Sequence, residues 1–214
     1  MREHPILFSA PMVRALLNTK LRTWPPEPAD PTKPTKAVTR RLSKQWLKVK
    51  AGDPLWVRET HAIMSVDTET VSIARAERMP AGKTLTETDG GLEVIQVNRE
   101  DWAWALNHID SERWRPSIFM PRWAFRIELE CMEDARAERL QDITEAEARL
   151  EGVEACIGHH GFRNYGCAPH AAINHYADAR DSFQSLWSTL HNKPGERWED
   201  NPELVRVGPF SRVR

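Results

Sequence analysis

A mixed, largely antiparallel β structure with a few flanking helices is the fold class this sequence predicts: α+β, not alternating βαβ units. Two observations carry it. Short strand-like runs of period two recur along the chain, at Leu55–Glu59, Val71–Ala76, Leu92–Val97, Arg122–Cys131 and Leu204–Val207. Helical patterns are few and scattered, near 12–18, 144–151 and 178–191. Five to seven strands interrupted in this way fit a small closed or partly open mixed β-barrel with helices on its flanks.

Each element has its own justification. Ile6-Leu7-Phe8 reads as a first strand. Pro11 suits the first turn of a helix over Met12–Asn18, with Met12, Ala15, Leu16 and Thr19 on one face. Five prolines between Trp24 and Pro34 make a stiff extended loop that delivers the chain to Lys36. Gly52-Asp53-Pro54 is a turn. In the strand after it, Leu55, Val57 and Glu59 share one face and Trp56 and Arg58 the other. Glu59 ends an apolar face, either at a pocket mouth or as a rim carboxylate paired with an arginine. The polar run Pro80–Gly91 is a loop between two strands. From Arg122 to Cys131, Trp123, Phe125, Ile127, Leu129 and Cys131 alternate with polar or small residues.

Thr144-Glu145-Ala146-Glu147 is a capping box, and Gly152 stops the helix that follows. Glu151 then stands at the negative end of the helix dipole, which disfavours its charge and pushes its pKa upward. Phe183, Leu186, Trp187 and Leu190 form the buried stripe of the last helix, Asp178–His191. Leu204–Val207 closes a sheet.

Composition narrows the function classes. The 214 residues carry 30 Lys plus Arg against 31 Asp plus Glu. A general attraction to nucleic-acid backbone is not indicated, although a local basic patch is compatible with that balance. Three cysteines make no paired framework and suit a reduced, cytoplasmic setting. No apolar run approaches a membrane span, so no membrane partner is expected. Cys156-x-x-His159 and Cys167-x-x-His170 have the spacing of two halves of a zinc site. Cys156 also follows Val153 and precedes Ile157 in a pattern that suits a core thiol, and no metal or other cofactor is assigned.

The stretch with the most chemistry is Lys36-Ala37-Val38-Thr39-Arg40-Arg41, which contains Lys-x-x-Thr-x-Arg. In an extended segment Thr39 and Arg41 point the same way, and a bend near Ala37 brings Lys36 beside them. A hydroxyl next to an amine is a candidate activated nucleophile. The same basic run is also what a solvated surface looks like.

Several blocks together resemble the ASCH family, in the form common in phages and prophages. They are Pro5-Ile6-Leu7-Phe8-Ser9-Ala10-Pro11-Met12-Val13-Arg14-Ala15-Leu16-Leu17, the Lys36 run, Gly52-Asp53-x-Leu55-Trp56-Val57-Arg58-Glu59-Thr60, Met120-Pro121-Arg122-Trp123-Ala124, Leu140-Gln141-Asp142-Ile143-Thr144-Glu145 and Glu151-Gly152-Val153. The resemblance implies a single PUA-like domain over 1–214, with a proline-rich insertion at about 21–34 and an irregular one at about 154–178. One branch of the family consists of bacterial amidohydrolases that deacetylate N4-acetylcytidine and related N4-acylated cytosine nucleosides. By that resemblance Lys36, Thr39 and Glu151 are catalytic and Arg41 is the motif's arginine. A rival placement, Lys20-Leu21-Arg22-Thr23, lacks the arginine and has Pro25 there.

Two mechanisms follow. In one, Thr39 is the nucleophile, activated by a neutral Lys36 (Arg40 and Arg41 crowding it) or by Glu151. In the other, Glu151 activates water while Thr39 and Lys36 bind the oxyanion. In both, Glu151 returns a proton to the leaving amine. Phe8, Trp56 or Trp123 would supply a flat partner for the base, and Arg41 or Glu59 would read its polar edge, with Arg58 nearby. The expected partner is a small-molecule nucleoside. The alternatives are an RNA- or nucleotide-binding module that uses Arg40, Arg41 and Arg58, and a metal-independent ribonuclease.

Overall fold

The computed structural model describes residues 2–22, 27–30, 33–76, 92–110, 113–156, 161–166 and 175–214. In chain order the elements are β1 (His4–Leu7), α1 (Ala10–Leu17), β2 (Thr39–Arg41), β3 (Pro54–Arg58), β4 (His61–Val66), β5 (Thr70–Arg75), β6 (Glu93–Gln96) and α2 (Arg99–Leu106). They continue with β7 (Glu128–Cys131), β8 (Arg136–Arg139), α3 (Glu145–Leu150), β9 (Phe162–Arg163), β10 (His175–Tyr176), α4 (Ala179–Leu190), β11 (Glu203–Val207) and β12 (Phe210–Arg212). The architecture is mixed α+β with several sheets, and no closed barrel is seen among the described strands.

The chain forms two compact units, one of Met1–His4, Ala15–Leu55 and Leu129–Arg214, the other of Pro5–Arg14 and Trp56–Glu128. In the first, β11 lies between β2 and β8, antiparallel to both, with Val207 opposite Thr39 and Leu204 opposite Glu138. β12 pairs with β7, Phe210 opposite Cys131. The core of this unit gathers Leu140, Ile143, Ala148, Val153, Phe183, Trp187, Trp198 and Leu204, so α3 and α4 pack on the same apolar cluster. Ala179, Ser182, Phe183 and Trp187 are the buried face of α4, and Asp178 caps it. Leu190, expected in that stripe, is instead 61% exposed: it occupies the last helical turn, where the chain leaves the core. Cys131 is buried, and burial pushes its thiol up to about 12, so it is an inert core residue.

In the second unit β4, β5 and β6 form an antiparallel meander. Ile63, Val71, Ile73, Ala105, Met120 and Ala124 make its core, with Trp104, Trp123 and Phe125 packed around them. The expected strands near 71–76 and 92–97 are β5 and β6, while Pro80–Gly91 lies outside the described residues.

The long strand expected over Arg122–Cys131 is corrected. Its ladder covers only Glu128–Cys131. Pro121 instead opens a tight turn over Arg122–Ala124, closed by Ala124 N–H on the Pro121 carbonyl at 3.1 Å. The apolar alternation before residue 128 reflects packing of Trp123 and Phe125 against the core, not strand pairing. Among the described residues no helix is long and apolar enough to cross a membrane.

Candidate functional site

The first unit carries the Lys36 stretch and Glu151. After α1, Asn18 holds the loop that leads to Lys36. Its amide donates to the carbonyls of Asp30, Lys33 and Pro34 at 3.0–3.1 Å and accepts from the Asp30 N–H at 2.9 Å. The backbone N–H groups of Ala37 and Val38 then both donate to the Leu150 carbonyl, at 2.8 and 3.3 Å. This fastens the stretch to the last turn of α3. The capping box at the other end of α3 forms as the sequence predicts, with Thr144 Oγ1 accepting from the Glu147 N–H at 3.2 Å. Gly152 ends the helix with φ +91°.

These anchors place Lys36 against Glu151, 115 residues away in sequence. Lys36 is fully buried and Glu151 is 6% exposed. Lys36 Nζ donates to Glu151 Oε2 at 2.9 Å, to the Glu151 carbonyl at 2.8 Å and to the Val38 carbonyl at 3.0 Å. Three acceptors match the three N–H bonds of an ammonium. Burial nevertheless pulls the Lys36 pKa down from its ordinary value; Glu151 opposes this, and Arg41 and Arg40 add to it. The ammonium also sits on a carbonyl at the C-terminal end of α3, which offsets the dipole there.

Arg40 organises the carboxylates. Its Nη1 donates to Glu151 Oε1 at 3.1 Å and its Nη2 to Glu147 Oε2 at 3.0 Å. Its Nε lies 2.7 Å from Glu138 Oε1 on β8. Arg206 on β11 joins through Nε to Glu147 Oε1 at 3.0 Å. Burial raises the Glu138 pKa, and Arg40 offsets that only partly. For Glu147 burial pulls the same way, but Arg40, the Thr144 N–H and Arg206 hold its pKa below the usual value. Glu151 is thus bracketed by two cations, a setting that the helix-end argument alone does not capture.

Thr39 is buried on β2, opposite Val207. Among the described residues its hydroxyl makes no hydrogen bond to Lys36 or Glu151. Arg41 follows on the same face of the strand; its guanidinium lies over the Trp46 ring at 5.6 Å and is electrostatically coupled to Glu151.

The other expected binding residues lie in the second unit. Phe8 is buried there and its N–H donates to the Arg58 carbonyl at 3.2 Å. Trp56 is buried, with the Arg58 guanidinium 4.6 Å and that of Arg122 5.4 Å from its ring centre. Arg58 Nη1 donates to the Ile118 carbonyl at 3.0 Å. Glu59 is buried and held in a fork by Arg126, at 3.0 and 2.8 Å, so of its two readings the arginine-paired carboxylate is the one seen. Lys20 of the rival placement pairs with Glu27 at the surface, and Thr23 lies outside the described residues. Cys156 is half-buried, and His159, Cys167 and His170 also lie outside them.

Sequence reasoning missed the Arg40–Glu138–Glu147–Arg206 shell. Arg40 lies within the motif, but its partners lie on β8 and at the two ends of α3, about a hundred residues downstream, with no local spacing to announce them. Gly152 has a sharper sequence signal and a testable consequence. A Cβ there would meet Ala15 Cβ at 3.2 Å and Lys36 Cβ at 3.6 Å, on a backbone already left-handed. Gly152→Ala is expected to cost about 1–2 kcal/mol, read as a lower urea midpoint at unchanged slope.

Comparison of the chain with protein-family models, with curated proteins and with solved structures found no match in any of the three.

Proposed function

We propose that this chain is an amidohydrolase that removes the acyl group from N4-acylated cytosine nucleosides, built on a PUA-like scaffold of the ASCH type and working in the cytoplasm. The observation that carries the reading is the Lys36–Glu151 pair. The two residues named as catalytic partners from separate motifs meet at 2.9 Å in a desolvated setting, with Thr39 three residues on from Lys36.

The geometry favours one of the two mechanisms. With its donors on Val38 and Glu151, Lys36 positions the carboxylate and is not arranged to take the Thr39 proton. Glu151 is then the general base toward a water. Hydroxide adds to the acyl carbon, and the Thr39 hydroxyl steadies the oxyanion. The C–N4 bond breaks, Glu151 hands its proton to N4, and cytidine and a carboxylic acid leave. RNA binding through Arg40 is disfavoured, because Arg40 is buried and faces three carboxylates.

The test follows the ultraviolet absorbance of N4-acetylcytidine with purified protein. Wild type is expected to release cytidine. Glu151→Gln and Thr39→Ala are expected to lose about a hundredfold or more in turnover while remaining folded by circular dichroism. Absence of turnover on acetyl and bulkier acyl cytidines alike would overturn the enzyme reading.

A further inference from the structure

The second unit contains a cavity of about 550 Å³ that none of Lys36, Thr39 and Glu151 lines, although Trp123, one of the three rings considered for the base, does. Its walls are aromatic, with Trp104 of α2 and Trp123 and Phe125 of the segment after Pro121. Its charged groups are Glu100 and Asp101, from the first turn of α2, and Arg122. The volume lies within the range of small-molecule sites, about 300–1,000 Å³, which combine apolar walls with a few polar groups.

We propose that this cavity binds a compact organic cation, an alkylated ammonium. Trp104 and Trp123 stand nearly perpendicular, ring centres 6.0 Å apart and planes at 77°. The two rings meet edge to face, and an aromatic face attracts a cation held within about 6 Å of its centre. The ring of Trp104 is fixed in advance: His108 stacks on it at 3.9 Å and 12°. Arg122 shows that these rings accept a cation, since its guanidinium lies 3.7 Å from the centre of Phe125. That contact occupies Phe125, so an incoming cation takes the tryptophan corner. Charge selects the same ligand. Two carboxylates, Glu100 and Asp101, line the cavity with one guanidinium, and Asn98 Nδ2 donates to Asp101 Oδ2 at 2.8 Å. An anionic ligand would meet repulsion here.

Calorimetric titration with choline tests this, beside the uncharged isostere in which a tert-butyl group replaces trimethylammonium. The two have the same shape, so their difference isolates charge. Choline is expected to bind saturably, and the isostere about tenfold or more weaker. Glu100→Gln combined with Asp101→Asn is expected to lower choline affinity several-fold, and Trp123→Leu to abolish saturable binding. The carboxamide pair keeps the shape of the rim, so it and the isostere decide the matter even if Trp123→Leu disturbs the unit. Equal binding of both ligands, affinity indifferent to the carboxamide pair, or no binding heat with choline would overturn the proposal. Because cytidine turnover is not involved, the outcome is independent of the amidohydrolase reading.

Discussion

Glu151→Gln is expected to destabilise the protein by about 3–5 kcal/mol, the range for removing one partner of a buried ion pair. Lys36 is fully buried, and in the variant its ammonium would face a neutral amide where it now has a carboxylate. Glu151 is what opposes desolvation in setting the Lys36 pKa, so the variant drops that pKa further. The sign of the pH dependence follows. A lysine whose folded pKa lies below its unfolded value binds its proton more weakly when folded. Stability therefore rises with pH between the two values, up to about the ordinary 10.5. Glu151→Gln should widen that window downward and so enlarge the total gain on the alkaline side. Adding Lys36→Met removes the stranded charge, so the double variant should cost less than the sum of the singles, by about 2–3 kcal/mol. Urea unfolding of the four proteins at several pH values measures this. Strict additivity would mean that Lys36 and Glu151 do not depend on each other, which would remove the basis for a shared site.

That cycle also separates stability from chemistry. Buried ion pairs are often no better for stability than apolar side chains of the same volume. A merely structural pair should therefore be replaceable by a fitting apolar pair with little loss of any property. If the double variant recovers stability but turns over no N4-acetylcytidine, the charges are held for the reaction. Arg40 makes this comparison cleaner, since it keeps Glu138 and Glu147 as partners when Glu151 is changed.

The site was legible in part because its two halves carry local marks. The capping box and Gly152 locate Glu151 at a helix end, and the extended Lys36 run lies after a proline loop. What brings them together was not legible. The Leu150 carbonyl that receives Ala37 and Val38 is a backbone contact with no residue-type signature, and the Asn18 side-chain amide that gathers three loop carbonyls has backbone partners that no local pattern announces. The fold shows the same split. β5, β6, α3, α4 and β11 have clear periodicity and stand near the expected places. β8 is Arg-Ala-Glu-Arg, a strand with no bulky apolar side chain that pairs with β11 through its backbone, so a hydrophobic pattern does not find it. β4 was missed because His61, Ala62 and Ile63 are all buried, leaving no alternation to read. α2 lacks a strong apolar stripe, and its one clear signal, Asn98 capping Asp101, was passed over.

Acid should weaken the protein through His61. This side chain is completely buried in the second unit, its Nδ1 lies 3.1 Å from the Glu59 carbonyl, and its Nε2 has no partner among the described residues. Burial lowers its pKa from 6.5 to about 4. The Glu59 carbonyl hydrogen bond and carboxylate oppose this, and Arg75 and Arg115 reinforce it. Above 6.5 neither the folded nor the unfolded chain holds the proton, and His61 costs nothing. As pH falls toward 4 the unfolded chain takes the proton first, so stability is lost across that window. The loss from this residue is expected to reach about 2 kcal/mol near pH 5 and about 3 kcal/mol below the folded pKa. Replacing His61 with Gln removes the titration and should flatten the curve between about pH 6.5 and 4, whatever it does to stability at neutral pH. Urea midpoints measured across that range for both proteins give the comparison. Parallel curves would show that His61 takes up its proton without opening the fold.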